Sequence, residues 1–293
     1  MTSENMQLRD TTAKWIQTEN WGIHYHEMGR GDPVILLHGS APGSSGWVNF
    51  ADNIASLASE FRVMALDIPG WGRSNAAPPG RADSVGALTE FIDALGIDRA
   101  SLVGNSMGAM IAMSFAARHP DRVAHLVTMG APALFGANAL APGGPSEGLK
   151  HLVRAYQDPS LPTLKSMYEV MVFNPVHVTA EAVEQRRDAA IARPELLSDF
   201  LDGFGKPGYM PTPTAEEVAQ ISAPTLLIHG RDDRVIHFEN ALKLCATIAN
   251  SRVHLINRCG HLAQIEHVDE VNALISYFLR TAPAPAPLDI DPH

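Results

Sequence analysis

A serine stands between two glycines in the stretch GNSMG, residues 104–108, where an apolar run ends and a helix-like run begins. A serine hydroxyl is a weak nucleophile at neutral pH, so it needs a base to accept its proton and donors to stabilise the oxyanion that its attack creates. A strand-to-helix turn with this spacing lifts the serine clear of a sheet. The stretch therefore predicts Ser106 as a catalytic nucleophile, with a tight turn of no chemical role as the alternative.

The base that would serve Ser106 should be a histidine late in the chain, preceded by a carboxylate, since this kind of turn pairs with the chain order Ser, Asp, His. Of thirteen histidines, His261 is the one that follows the final apolar run within a Cys-Gly-His turn. Asp232 and Asp233 follow the preceding run in HGRDDRV. We predict that Asp233 orients His261, because the Gly-x-x-Asp spacing clears the strand end, and Asp232 is the alternative.

Two backbone amides are candidates for an oxyanion hole. One is the amide of Met107, directly after the predicted nucleophile, and the other should come from the loop after the apolar run VILLHG. That loop reads HGSAPGSSGW, residues 38–47, and places Ser40 as the natural donor. A flexible glycine turn without a catalytic role is the alternative for this loop.

Six apolar runs bounded by turn residues could position these groups. They are continuously apolar rather than alternating, which is typical of strands covered on both faces. Helix-length segments with apolar residues at helical spacing lie between them, such as residues 84–97. The alternation predicts an α/β fold with a mostly parallel, doubly wound sheet. The predicted strands lie in residues 33–39, 62–70, 100–106, 123–130, 224–230 and 252–261.

Three segments depart from this alternation. Residues 15–29 predict an antiparallel hairpin that turns near Glu19 and Asn20 at one edge of the sheet. A long stretch rich in Pro, Gly and Met predicts a helical lid inserted over the carboxyl ends of the strands, and a Pro/Ala-rich tail predicts a disordered segment. We place the core in residues 1–133 and 215–281, the lid in 134–214 and the tail in 282–293.

Composition limits the partners of the chain. Its 293 residues carry a formal net charge of -10 at pH 7 and no basic run, which excludes nucleic acid, whose phosphates need clustered Lys and Arg. No apolar run approaches the ~20 residues of a membrane span. The polar start MTSENMQLRD lacks the apolar core of a signal peptide. We therefore expect a cytoplasmic protein that binds no membrane.

Signatures of cofactors and metals are absent from the sequence. No GxGxxG follows a predicted strand, and the loop between Gly39 and Gly46 lacks the Lys of a phosphate loop. His24 and His26 alternate on a predicted strand, but two ligands do not make a metal site. We expect no cofactor and no metal.

Five stretches carry a family resemblance. They are the glycine loop LLHGSAPGSSGWVNF, the segments DIPGWGRS and VGNSMG, the lid sequence EGLKHLVRAYQDPSLPTLKSMYEVMVFNP with VTAEAVEQR after it, and the histidine loop RVHLINRCGHLAQIEH. They resemble the meta-cleavage product hydrolases, a family with the α/β-hydrolase fold, over most of residues 15–280. Those enzymes cut a carbon–carbon bond in vinylogous 1,5-diketones made by ring cleavage of catechols.

The resemblance implies a role for each candidate residue and a small-molecule substrate that is an anionic dienoate. It also implies that the protein is a homo-oligomer, a dimer or larger. The implied site comprises the triad Ser106, Asp233 and His261, the oxyanion donors Ser40 and Met107, and the substrate contacts Asn49, Asn105, Arg186 and Leu262.

Three of the substrate contacts have plainer alternatives. Arg186 lies beside Arg187 and could be a solvated surface charge, although a guanidinium on a lid can also clamp a carboxylate bidentately. Asn105 could cap the turn at Ser106, and Asn49 could cap the helix after the glycine loop.

The implied reaction begins with ketonisation of a dienol and attack of Ser106 on the distal ketone. Carbon–carbon cleavage and hydrolysis of an acyl-enzyme then give a 2-hydroxydienoate and a carboxylic acid. The leaving carbanion needs a proton donor, and His261 is the candidate.

Three residues depart from the family pattern. Leu262 stands where the family usually has Trp, Ile265 where another large aromatic is common, and Ala109 where Gly is usual. These changes predict an aliphatic, reshaped pocket wall. They keep open a carboxylesterase or lactonase that uses the same triad. A small-ligand receptor on this fold is a third hypothesis, which the intact Ser, Asp and His set disfavours.

Overall fold

One eight-stranded sheet organises the part of the chain that the computed structural model describes, residues 3–75, 83–141 and 143–283. The strand order is β1-β2-β4-β3-β5-β6-β7-β8, with β1 and β2 antiparallel to their neighbours and all other pairs parallel. The strands are β1 (Ala13–Gln17), β2 (Gly22–Met28), β3 (Pro33–Leu37), β4 (Arg62–Leu66), β5 (Ala100–Asn105), β6 (Val123–Met129), β7 (Thr225–Gly230) and β8 (Ser251–Ile256).

Helices connect the strands and cover the sheet, and five of those in the described residues, α5 to α9, fall between β6 and β7. Short 3-10 turns lie at Pro120–Arg122 and Pro175–His177. The helices are α1 (Ser3–Thr12), α2 (Gly46–Leu57), α3 (Ser84–Ala94), α4 (Met107–Arg118), α5 (Glu147–Gln157), α6 (Leu161–Met171), α7 (Ala180–Ile191), α8 (Pro194–Gly203), α9 (Ala215–Ala219), α10 (Glu239–Thr247), α11 (Ala263–Glu266) and α12 (Val268–Thr281).

The strand β3 shows why its sequence is continuously apolar. Ile35 and Leu37 pack in the core on one face of the sheet, and Val34 and Leu36 pack in a separate core on the other. All four side chains are at most 1% exposed. Because successive residues of a strand point to opposite faces, a strand covered on both faces must be apolar at every position.

The predicted α/β-hydrolase fold is confirmed, with a mostly parallel sheet and its hairpin at the edge formed by β1 and β2. The hairpin turn runs through Glu19 and Asn20, closed by a hydrogen bond from Thr18 N to Trp21 O of 2.8 Å. The bounds of the lid and core stay a prediction. Of the predicted tail, Ala282 is buried and its carbonyl lies 2.9 Å from His125 Nε2, while residues 284–293 lie outside the described residues.

Several helices were not predicted from the sequence, among them α1, α6 and α8. The polar helix α1 has no apolar periodicity to reveal it, and α6 and α8 each carry a proline in the first turn. Proline is well tolerated there because the first helical amides have no intrahelical acceptor. The prolines therefore mark the beginnings of these helices rather than breaks in the chain.

The buried carboxylate of Asp67, just beyond β4, joins three segments near the sheet edge. It accepts hydrogen bonds from the amides of Gly46 and Arg73, each at 2.8 Å, and its Oδ2 lies 2.8 Å from His24 Nδ1. Burial opposes ionisation, but the hydrogen bonds and charge of His24 and the Arg73 amide outweigh it and hold the pKa of Asp67 below its ordinary value. The carboxylate thus fixes the beginning of α2 against β2.

We predict that Asp67→Ala lowers the free energy of unfolding by about 3–5 kcal/mol at pH 7, because it strands buried donors. Urea unfolding measures this loss.

The stabilising contribution of Asp67 depends on pH. The pKa of Asp67 is lower in the folded than in the unfolded state, so its contribution to the free energy of unfolding is present above the ordinary value of 3.8 and is lost as the pH falls below that value. The matched control, Asp98→Ala, changes an exposed carboxylate with no partner among the described residues and should leave stability nearly unchanged. Equal unfolding midpoints for the two variants would contradict the prediction.

Candidate active site

Ser106 sits at the junction of β5 and α4 in a strained backbone conformation. Its φ is 55° and its ψ is -115°, a region that side chains other than glycine rarely occupy. The amide of Ser106 donates to Met129 O at the end of β6, at 2.9 Å. This bond and the following helix hold the serine at the carboxyl edge of the sheet.

The two glycines flanking Ser106 provide space rather than backbone freedom. A Cβ on Gly104 would lie 2.4 Å from Gly108 O, and a Cβ on Gly108 would lie 2.0 Å from Leu37 O. Neither glycine has a positive φ. Glycine is therefore needed at both positions because β5, α4 and the end of β3 approach each other closely.

His261 and Asp233 meet at the carboxyl ends of β8 and β7. Their Nδ1 and Oδ2 atoms are 2.7 Å apart, and the two residues are 3% and 5% exposed. The other oxygen of Asp233 accepts from the amides of Val235 at 2.7 Å and Ile236 at 2.9 Å. Burial alone would raise the pKa of Asp233, but His261 and His229 hold it far below its ordinary value. The ionised carboxylate fixes the proton of His261 on Nδ1 and leaves Nε2 as the base.

Asp232, the alternative partner, lies on the outside of the same turn. Its Oδ2 accepts from the amide of Arg258 at 3.0 Å, and its Oδ1 is 3.8 Å from the guanidinium of Arg231. Its side chain is 30% exposed. Asp233, not Asp232, contacts His261.

Ser106 and His261 face one cavity of about 610 Å³. Within the described part of the chain, no hydrogen bond joins Ser106 Oγ to the His261 ring. Such contacts between a nucleophile and its base are often long in ligand-free enzymes and tighten when substrate binds. The room for the imidazole comes from Gly130, where a Cβ would lie 2.8 Å from His261 Nδ1.

The predicted oxyanion donors also line this cavity. The amide of Ser40 donates to no described residue, and that of Met107 opens α4, where helical amides lack an acceptor. The loop is held by two residues that the sequence analysis missed. His38 is fully buried, accepts from Ile68 N at 3.0 Å and so donates from Nδ1 to Gly39 O at 2.7 Å. The hydroxyl of Tyr156 on α5 donates to Ser40 O.

Asn49 and Asn105 line the cavity, and the capping alternatives for both are wrong. Ser45 caps α2 by accepting from the amide of Val48 at 3.1 Å, so Asn49 lies within the first turn. The side-chain Nδ2 of Asn105 donates to the carbonyls of Met129 and His261, each at 3.2 Å, and the side chain does not cap α4. The Oδ1 atoms of both asparagines are buried and have no partner among the described residues. Both can therefore receive a hydrogen bond from a ligand.

Arg186 on α7 is buried against the cavity, which overturns the alternative of a solvated surface charge. It is 2% exposed, and its guanidinium lies 5.0 Å from the centroid of the Tyr168 ring. Its one hydrogen bond is a long contact of 3.4 Å to Ser44 Oγ, and no carboxylate in the described chain pairs with it. Its neighbour Arg187 is the surface residue, 41% exposed and 3.1 Å from Asp188.

Much of the remaining cavity lining is apolar, and Leu262 belongs to it with 3% of its surface exposed. The cavity thus joins a buried cation and two asparagine amides to a hydrophobic region. The apolar lining includes Met110, Leu149, Leu152, Met171, Val235 and Leu262.

The histidine loop, which carries His261, is hydrogen-bonded to the segment that follows β6, through contacts that the sequence did not predict. The amide of His261 donates to Met171 O, the last residue of α6, at 2.7 Å. Glu266 accepts from Gly260 N at 2.7 Å and from Phe173 N at 2.8 Å. Only the tertiary packing identifies Glu266, because the sequence offers no motif for it.

The described residues contain no helix long and apolar enough to cross a membrane. Within the same ranges, no three His, Cys, Asp or Glu side chains are grouped so that they could hold a metal ion.

The sequence of this chain is similar to those of known hydrolases. The family described as alpha/beta hydrolase fold matches residues 32–268. A 2-hydroxy-6-oxononadienedioate/2-hydroxy-6-oxononatrienedioate hydrolase of Pseudomonas putida is 39% identical over 264 residues, 88% of this chain and 91% of that protein. A 2-hydroxy-6-oxo-6-phenylhexa-2,4-dienoate hydrolase of Comamonas testosteroni is 38% identical, with 88% and 91% covered.

A solved structure has a similar fold. It is a mutant of the meta-cleavage product hydrolase CumD from Pseudomonas fluorescens IP01, complexed with acetates. It superposes with a TM-score of 0.82 at 30% identity, covering 91% of this chain and 97% of that one.

We predict that Gly108→Ala destabilises the protein by about 3 kcal/mol or more, because the new methyl group would overlap the backbone of β3. Urea unfolding followed by tryptophan fluorescence measures the loss. Gly143→Ala is the matched control, since no heavy atom lies within 4 Å of a Cβ at that position. The explanation by close approach would be wrong if both variants unfolded at the same urea concentration.

Proposed function

The chain belongs to the alpha/beta hydrolase fold family and, within it, to the meta-cleavage product hydrolases, and we propose that it cleaves a carbon–carbon bond in a 2-hydroxy-6-oxo-hexa-2,4-dienoate type substrate. The products would be a 2-hydroxydienoate and a carboxylic acid. The proposal draws on the names of the relatives and on the cavity of this chain, which combines Ser106, His261 and Asp233 with a cation and an apolar wall.

The observation that carries the proposal is the buried, unpaired guanidinium of Arg186. A buried charge without a counter-charge is costly, and it is stabilised when a carboxylate reaches it. The planar guanidinium suits bidentate binding of a carboxylate. We therefore assign the carboxylate of the dienoate to Arg186, with Asn49 and Asn105 as further polar contacts and the distal acyl group against the wall at Leu262.

The nucleophilic attack on the distal ketone would begin after the dienol of the substrate has converted to its keto form. His261 Nε2 takes the proton of Ser106 Oγ, and the oxygen attacks the ketone carbon. The tetrahedral oxyanion accepts hydrogen bonds from the amides of Ser40 and Met107. Collapse of this intermediate breaks the carbon–carbon bond, the dienolate takes the proton from His261, and an acyl group stays on Ser106.

Hydrolysis of the acyl-enzyme would complete the cycle. His261 accepts a proton from a water molecule, the hydroxide attacks the acyl carbon, and Ser106 leaves with the proton returned by His261. One water is consumed, and no electron is transferred. The buried carboxylate of Asp233 stabilises the imidazolium in both halves of the reaction.

A carboxylesterase or lactonase is the second candidate, and the aliphatic wall at Leu262 favours it. The family usually has a tryptophan at this position, so the space next to His261 differs from the usual one. The same triad and the same amides would then serve an ester carbonyl.

The proposal keeps two further expectations from the sequence. One is that the enzyme acts in the cytoplasm on small molecules, and the other is that it forms a homo-oligomer, which sedimentation equilibrium of the purified chain would measure.

Turnover of two substrates separates the candidate functions. We predict that the wild type bleaches the yellow colour of a ring-opened dienoate faster than it hydrolyses p-nitrophenyl butyrate, and that Ser106→Ala lowers kcat by about 10³-fold or more on both. Ser114→Ala, a change at a buried serine on α4 outside the cavity lining, is the control and should keep its activity. Fast ester turnover without bleaching would favour the esterase, and an unchanged rate in Ser106→Ala would refute the nucleophile.

A charge change at α7 tests the carboxylate contact. We predict that Arg186→Gln lowers kcat/KM for the dienoate about 100-fold or more, since truncating one partner of a buried charge pair costs about 2–5 kcal/mol. Turnover of the uncharged p-nitrophenyl butyrate should change little. Arg187→Gln removes the neighbouring surface charge and should change neither rate. Equal losses on both substrates would show that Arg186 supports the fold rather than the carboxylate.

A further inference from the structure

A second imidazole contacts the carboxylate that orients His261. His229, in β7, is 1% exposed, and its Nε2 lies 2.8 Å from Ile236 O and 3.3 Å from Asp233 Oδ2. The sequence analysis assigned this histidine no role. It is four residues before Asp233, on the strand that delivers the carboxylate to the site.

The surroundings of His229 fix its proton on Nε2. Both neighbours of this nitrogen, a carbonyl oxygen and a carboxylate oxygen, can only accept hydrogen bonds, so Nε2 must be the donor. The other nitrogen, Nδ1, is buried and has no partner among the described residues.

Asp233 Oδ2 thus lies 2.7 Å from His261 Nδ1, its hydrogen-bond donor, and 3.3 Å from His229 Nε2, whose N–H donates to Ile236 O. An N–H group this close to a carboxylate oxygen stabilises its negative charge and so makes the oxygen a weaker acceptor for its other partners. The bond of His229 to Ile236 O also fixes the turn whose amides bind Oδ1 of Asp233.

We infer that His229 is a positioning residue that holds Asp233 in place and weakens its pull on the His261 proton. This inference rests on the proposed triad chemistry, though not on which bond the enzyme cleaves. Removing the His229 N–H should strengthen the hold of Asp233 on protonated His261 and raise the pH at which His261 becomes a base.

The other charged groups around the triad are engaged elsewhere. Arg234 pairs with Glu147 at 3.5 Å, and Asp232 with Arg231 at 3.8 Å. Glu266 accepts hydrogen bonds from the backbone amides of Gly260, Phe173 and Asn174. Glu239 accepts from the backbone amides of residues 139–141, and its carboxylate lies 3.8 Å from His237 Nδ1. The thiol of Cys259 has a pKa raised by its burial and stays neutral. Among these groups, His229 is the one that contacts Asp233, so its replacement changes the surroundings of that carboxylate.

The test compares the pH dependence of kcat/KM for the wild type, His229→Phe and His229→Gln, with both the dienoate and p-nitrophenyl butyrate as substrates. The Phe variant has no donor, whereas the glutamine amide nitrogen can occupy the place of Nε2. We expect the acidic limb of the Phe variant to move up by about 0.5–1 pH unit, the scale of one ordinary hydrogen bond, and the Gln variant to follow the wild type. His254→Phe, on an exposed histidine of β8 paired with Glu270, is the control and should leave the limb unchanged.

Titration of the His261 ring by ¹⁵N NMR measures the same shift without turnover. If the wild type cleaved neither substrate, the proposed function would fail, and the NMR titration would still decide the role of His229. Should the Phe variant not fold, His229→Asn, whose amide is too short to reach Asp233, replaces it in the comparison with Gln. An acidic limb and ring titration that stay in place in every folded variant, or that move equally in Gln and Phe, would overturn the inference.

Discussion

The carboxylate of Asp233 is the interaction on which the site depends. It is buried, it accepts from two backbone amides and from His261, and His229 Nε2 lies 3.3 Å away. A buried carboxylate stays ionised only when such donors outweigh its lost hydration. Because this carboxylate is ionised, it holds the His261 imidazole in one tautomer and one orientation, which leaves Nε2 as the base. The parallel pairing of β7 and β8 brings the two residues together, since both follow a strand at the same edge of the sheet.

The second constraint is close backbone packing around the nucleophile. Gly104 and Gly108 let α4 approach β5 and the end of β3, and Gly43 (φ 71°) lets the glycine loop touch the backbone of α7 at Arg186. Side chains at these glycines would push the layers apart. Ser106, the amide of Ser40 and the guanidinium of Arg186 therefore share one cavity because the main chain itself comes close at three points.

The sequence predicted the parts of the site that depend on local signals. Ser106 lies in a strand-turn-helix pattern, and Asp233 and His261 follow apolar runs, so strand order was enough to bring them to one edge. The burial of Arg186 could not be predicted, because it depends on how α7 packs on the glycine loop. Residues that act through backbone carbonyls and amides, such as His38 and Glu266, carry no spacing signal.

A crystal structure of the Ser106→Ala enzyme with a dienoate bound would test the account most directly. We predict the carboxylate on the Arg186 guanidinium, the distal ketone carbon facing residue 106, and the ketone oxygen about 3 Å from the amides of Ser40 and Met107. A dienoate whose carboxylate lies away from Arg186, with its ketone turned from those two amides, would contradict it.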